Sequence, residues 1–289
     1  MGAADGRVIG TTRIVDHGDD SERWNLVIVS EGYREDELPQ FAMDAQSFVD
    51  GFAAAPPFDR LMSAINVHRV DVASTDSGAD NPAACGGDGA TPATFFDASF
   101  CNNNLQRLLV VDNLAVFNVV NAEVPGWQMI LVIVNSMIYG GSGGQVAVFS
   151  LAEGANEIAL HEMGHTAFGL ADEYESFAGC GRETDHDHHP AGDLAYPNVT
   201  VERDRAKIKW RDLIDAGTPV PTTSNPDCSQ CDPQASPVAA GMVGAFEGAH
   251  YFHCGAYRPA FDCRMRALGQ PFCLVCQQRI LETISPFLP

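Results

Sequence analysis

The sequence predicts an α/β chain, and three observations carry that reading. Short apolar runs closed by glycine or asparagine recur, WNLVIVSEG at 24–32 and WQMILVIVN at 127–135. Strands buried on both faces of a sheet read this way. Between and after these runs lie stretches with apolar residues at helical spacing. From about residue 175 the chain becomes rich in cysteine, glycine and proline. The expected architecture is α/β (α+β): a mixed sheet, a central helix at 153–169, and a loop-rich, Cys-rich C-terminal sub-lobe.

Each element follows in order. The run at 24–32 is a buried strand ended by Gly32. Residues 35–54 set Phe41, Ala45, Phe48 and Phe52 at helical spacing, and Pro56 with Pro57 ends the helix. A second strand is expected at 65–72. Residues 74–104 read as loop, with Cys85 and Cys101 bracketing a local disulfide. A helix is predicted over 105–121, and the strongest strand of the chain over 127–135. The glycine-rich YGGSGG at 139–144 feeds a short strand formed by Gln145, Val146, Ala147, Val148 and Phe149. The helix at 153–169 follows, interrupted by Gly164 and ending near Gly169, and a terminal helix is expected at 274–284. No polar linker divides the chain, so one domain over 1–289 is expected, with sub-lobes at 1–174 and 175–289.

Charge narrows the function. The 289 residues carry a formal charge of −21, which would repel a nucleic-acid backbone and an anionic membrane surface alike. It also disfavours tight self-association at low salt, so a monomer is expected. No run is long and apolar enough to span a bilayer. The start has no basic segment followed by an apolar core, which reads as cytoplasmic unless a signal segment has been removed. Nine cysteines are many for a reducing compartment, so the balance favours a secreted or periplasmic protein. The two CxxC pairs, Cys228 with Cys231 and Cys273 with Cys276, suit either disulfides or a structural zinc.

The chemistry lies in HEMGHTAFGLADEY, residues 161–174. On a helix, His161 and His165 project from one face and can bind one Zn²⁺. Glu162 stands one step round, where a carboxylate can take a proton from a water on the metal. Gly169 lets the chain leave the helix and turn back. Asp172 is the expected third ligand, with Glu173 the alternative. Of the other polar clusters, DHDHHP at 185–190 could take a second metal, and Asp76, Asp80 and Asp88 a structural Ca²⁺.

The segment resembles the metzincin zinc peptidases, but departs from their pattern. Their third-ligand position falls on Ala171, which cannot ligate, and the glycine comes one residue late. The fuller resemblance is to the IgA-peptidase family of metallopeptidases, where HExxH precedes a glycine and an Asp-Glu-Tyr cluster in this spacing. It rests also on 29–33, PPF at 56–58, NVHRVDVAS at 66–74, Asn135 with YGGSGG, 197–200 ahead of Lys209 and Trp210, 247–249, 257–259, and CRMR at 263–266 before FCLVC. It implies a secreted bacterial zinc endopeptidase with a metzincin-like domain, and Met265 as the methionine turn beneath the zinc histidines.

The expected reaction is hydrolysis of peptide or protein substrates, with zinc held by His161, His165 and Asp172 and Glu162 as general base. Tyr257 is the expected oxyanion partner, with Tyr174 and Tyr251 as rivals. The free edge of the strand from Gln145 to Phe149 is expected to pair with an extended substrate. Two alternatives remain, a non-peptidase zinc amidohydrolase and a catalytically silent zinc-containing binding module. An intact Glu162 speaks against the second.

Overall fold

The computed structural model describes residues 5–289 apart from 178, 182–185, 193 and 233. The chain forms two compact units, 1–167 together with 284–289, and 168–283. The first unit's longer segment ends seven residues before the sub-lobe division expected at 174.

The first unit is built on a six-stranded mixed sheet. Its strands are β1 (Gly6–Val15), β2 (Trp24–Glu31), β3 (Ile65–Ser74), β4 (Met129–Val134), β5 (Gly141–Ser142) and β6 (Ala147–Ser150), in the order β1-β3-β2-β4-β6-β5. The four inner strands run parallel, and β1 and β5 close the two sides antiparallel. Every residue of β2 and β4 is buried, as continuous apolar runs require at the centre of a parallel sheet. Val27, Val29, Ile130, Val132 and Val148 join Val116 and Val120 of α2 (Asn113–Glu123) in one core. Helix α1 (Leu38–Ala54) buries Phe41, Ala45, Phe48, Val49 and Phe52. The Phe48 ring lies 5.8 Å from that of Phe149 in β6.

Three expectations in this unit need correction. The helix expected over 105–121 begins only at Asn113. The Asp112 carboxylate accepts from Leu114 N and Ala115 N, an N-cap that fixes the start. The apolar residues before it are extended: Leu108 bridges to Gly141 and Val110 to Ser99. Helix α3 (Ala155–Phe168) runs through Gly164 without interruption. The strand expected to offer a free edge is not free over Val148 and Phe149, because Ser142 and Gly141 pair with them. A two-residue strand made of glycine and serine has no sequence signature.

The second unit carries a three-stranded sheet, β7 (His186–His188), β9 (Phe252–Arg258) and β8 (Phe246–Ala249) in that order, and helix α4 (Leu274–Ile284). Disulfides join Cys180 to Cys231 and Cys228 to Cys254. In the first unit Cys85 pairs with Cys101, as expected. The first CxxC pair is therefore split between two bridges, and the second remains reduced with Cys263. The four CxxC cysteines do not converge. Three disulfides are consistent with an oxidising compartment.

Candidate functional site

Helix α3 begins after Gly154 and ends at Gly169, whose φ of +63° is the left-handed turn that glycine makes without strain. Along it Ile158, Ala159, Leu160 and Met163 are buried, while His161, Glu162 and His165 are half-buried. Asn156 anchors the helix to α1 by donating to Ser47 O at 3.3 Å. The glycine-rich segment before β6 lies directly against it. A Cβ at Gly141 would come within 2.7 Å of Ile158 Cγ2, and one at Gly143 within 2.7 Å of His165 Cβ and 3.1 Å of Glu162 O and Oε2. Glycine here lets the loop reach the helix at the level of the histidines.

The two imidazoles meet edge to face, with Nε2 atoms 3.2 Å apart. Within the contiguous stretch 161–172, one ligand atom each from His161, His165 and Asp172 lies within 4.8 Å of the others. Asp172 is buried and Glu173 fully so. Asp172 joins the histidine group, whereas Glu173 gathers with Cys263, Cys273 and Cys276. Burial pushes the Glu173 carboxyl well up from its ordinary value, and the nearby Cys263 adds to the rise. A third group, His188 with Cys228 and Cys254, has both sulfurs committed to their disulfide.

The segment 171–174 is held from four sides. Asn198 accepts from Ala171 N at 2.8 Å and donates to Ala171 O and Glu173 Oε1, each at 2.9 Å. Glu173 N donates to Met265 O at 2.7 Å, and Met265 is fully buried. His250 N donates to Asp172 O and Tyr251 N to Tyr174 O. Finally, the Tyr251 hydroxyl donates to Asp172 Oδ2 at 2.5 Å.

His250 and Tyr251 form the two-residue turn between β8 and β9, where Ala249 pairs with Phe252. Both have positive φ, 52° and 70°. Such tight turns usually hold Asn-Gly, and bulky residues in this region cost roughly 1–3 kcal/mol each. The bonds to 172–174 over-determine the strained turn. No sequence signal marks it as a turn, and the only hint of Asn198 was its place in 197–200.

Tyr257 lies in β9, buried, with its hydroxyl donating to Glu247 Oε1 at 3.0 Å. Burial and the Glu247 charge push that phenol up from its ordinary value. In the cluster proposed for Ca²⁺, Asp76 accepts from Ala93 N and Asp88 from Ala90 N. None of Asp76, Asp80 or Asp88 belongs to a metal-holding group among the described residues. Of the 185–190 loop, His186–His188 form β7, while residue 185 lies outside the described residues.

The fold and these donors agree with a peptidase that works through a metal. The IgA Peptidase M64 family model matches residues 12–232 and 233–284, and the chain belongs to that family. No curated protein matches the chain. The immunoglobulin in the family's description names no substrate for this chain. Among the described residues no helix is long and apolar enough to cross a membrane.

Proposed function

We propose that the chain is a secreted, zinc-dependent endopeptidase with a metzincin-like catalytic domain, in which His161, His165 and Asp172 hold the ion and Glu162 is the general base. The observation that carries this reading is the donor set itself. A tetrahedral zinc with bonds of 2.0–2.1 Å separates two nitrogens by about 3.4 Å, against 3.2 Å between the two Nε2 atoms. Two imidazoles and one carboxylate make three protein ligands, the number that leaves a catalytic zinc one open position. When bound, the ion supplies the Lewis acidity that activates a water and polarises the scissile carbonyl.

The chain's own residues do the rest. Glu162, adjacent in sequence to His161, accepts the proton of the attacking water and returns it to the departing amine. Tyr251 donates to Asp172 Oδ2 and would orient the carboxylate as a ligand. Met265, buried and joined through its carbonyl to Glu173 N, serves as the methionine turn and fixes the chain that follows Asp172. To assist the oxyanion, Tyr257 would have to give up its bond to Glu247.

Incubation with a mixed peptide library is expected to give internal cleavages by mass spectrometry, lost on chelation and restored by zinc. Cleavage that survives full removal of metal would overturn the reading. Cleavage confined to one terminal residue would leave zinc hydrolysis standing and remove the endopeptidase.

Tyr251→Phe keeps the ring, which sits 5.3 Å from Tyr174 and 5.0 Å from Phe177, and loses the hydroxyl that donates to Asp172 and also meets Tyr174. A chelator titration is expected to show zinc affinity lowered by about 10–100-fold. An unchanged affinity would remove Tyr251 from the site.

A further inference from the structure

Nine cysteines, six of them in disulfides, leave three thiols that the peptidase chemistry does not use. Cys263, Cys273 and Cys276 are all buried, in the second unit, and they converge on the equally buried Glu173. Cys263 Sγ and Cys276 Sγ lie 3.7 Å apart, and Cys276 Sγ lies 3.3 Å from Glu173 Oε1. One ligand atom from each of the four residues falls within 4.8 Å of the rest.

We infer that Glu173, Cys263, Cys273 and Cys276 form a structural zinc site, separate from the histidine site and independent of the peptidase reading. The spacing is that of a shared tetrahedral ion. Zinc–sulfur bonds of about 2.3 Å set two sulfurs about 3.8 Å apart, and a carboxylate oxygen about 3.5 Å from each sulfur. A disulfide requires sulfurs about 2.05 Å apart, and one bridge among three cysteines would still strand a thiol beside a buried carboxyl. Hydrogen bonding alone accounts for the cluster poorly. Thiols are weak donors, and Glu173 Oε2 is buried with no hydrogen-bond partner among the described residues. A buried polar atom left so calls for an ion or an equivalent.

The surroundings suit thiolates. Cys273 immediately precedes α4 and Cys276 lies in its first turn, where the helix end favours negative charge. Cys273 N donates to Cys263 Sγ at 3.3 Å, as backbone amides do to metal-bound sulfur. The Arg258 guanidinium, fully buried, feels the Glu173 charge and offsets part of the excess. Three thiolates select zinc over calcium or magnesium. Such an ion would tie the methionine turn and the start of α4 to the residue next to Asp172, and would keep three thiols reduced in a chain that oxidises its other six.

The test is metal content once the histidine site is removed. A His161→Ala/His165→Ala chain from zinc-replete cells is expected to keep one zinc per chain, with sulfur scatterers at about 2.3 Å in its X-ray absorption spectrum. Cobalt(II) in its place should show thiolate-to-metal charge transfer. Adding Cys276→Ser should remove that zinc and the charge-transfer band. If either variant fails to fold, the unaltered chain decides: zinc with sulfur scatterers at about 2.3 Å in its absorption spectrum is expected, whatever the histidine site holds. A folded double-histidine variant without zinc, zinc bound only by nitrogen and oxygen, or a mapped disulfide among the three cysteines would each overturn the inference.

Discussion

Glu162→Gln is expected to lower kcat/KM on a peptide substrate by about 10²- to 10⁴-fold while leaving zinc content and thermal stability unchanged. The change keeps the shape and size of a half-buried side chain and removes only its ability to take a proton. The proposed ligands His161 and His165 are untouched, so metal retention separates loss of the base from loss of the site. The loss should fall mainly on kcat, because the proton transfer belongs to the transition state rather than to substrate binding. A variant that retained full activity would remove Glu162 from the mechanism. A variant that lost zinc with its activity would assign the residue to holding the metal.

Gly143→Val is the second large expected effect, and it acts through packing. The first carbon of any side chain at 143 would lie 2.7 Å from His165 Cβ and 3.1 Å from the Glu162 carbonyl and carboxylate oxygens. His165 Cβ and the Glu162 carbonyl are fixed to the backbone of α3, so the loop or α3 must shift. A displacement approaching 1 Å at a catalytic group can cost about 10²-fold in rate. A loss of at least that size in kcat/KM is therefore expected, with a fall in zinc affinity. Gly217→Ala is the control, because nothing lies within 4 Å of a Cβ there. Equal activity in the two variants would show that the loop does not set the geometry of the helix.

Much of the scaffold was legible because its inner strands and helices have strong periodicity. The runs in β2 and β4 are too apolar to be anything but core, and the phenylalanines of α1 lie on one face. The helix that carries His161 and His165 was legible, because two histidines four apart must share one of its faces. Where the reading failed, the local signal was weak or ambiguous. The apolar residues 105–111 imitate a helix, and only the cap on Asp112 says that it starts later. Strand β1 has no strong signature, because glycine, threonine and arginine interrupt its apolar residues and none of it is fully buried. The β8–β9 turn carries His250 and Tyr251 where a glycine would have announced it. The partition of the cysteines could not be read from spacing, since Cys228 and Cys231 pair outside their own motif while Cys273 and Cys276 join Cys263 and Glu173. Likewise, the neighbouring acids Asp172 and Glu173 are distinguished only by the tertiary bonds that turn one toward the histidines and the other toward the thiols.

The most direct test of the account is an anomalous-difference map at the zinc edge from crystals never exposed to chelator. It is expected to show a peak within bonding distance of His161 Nε2, His165 Nε2 and one Asp172 carboxylate oxygen, with no fourth protein side chain. No density at the histidines in a sample that still cleaves peptides, or a peak closed by a fourth side chain, would contradict it.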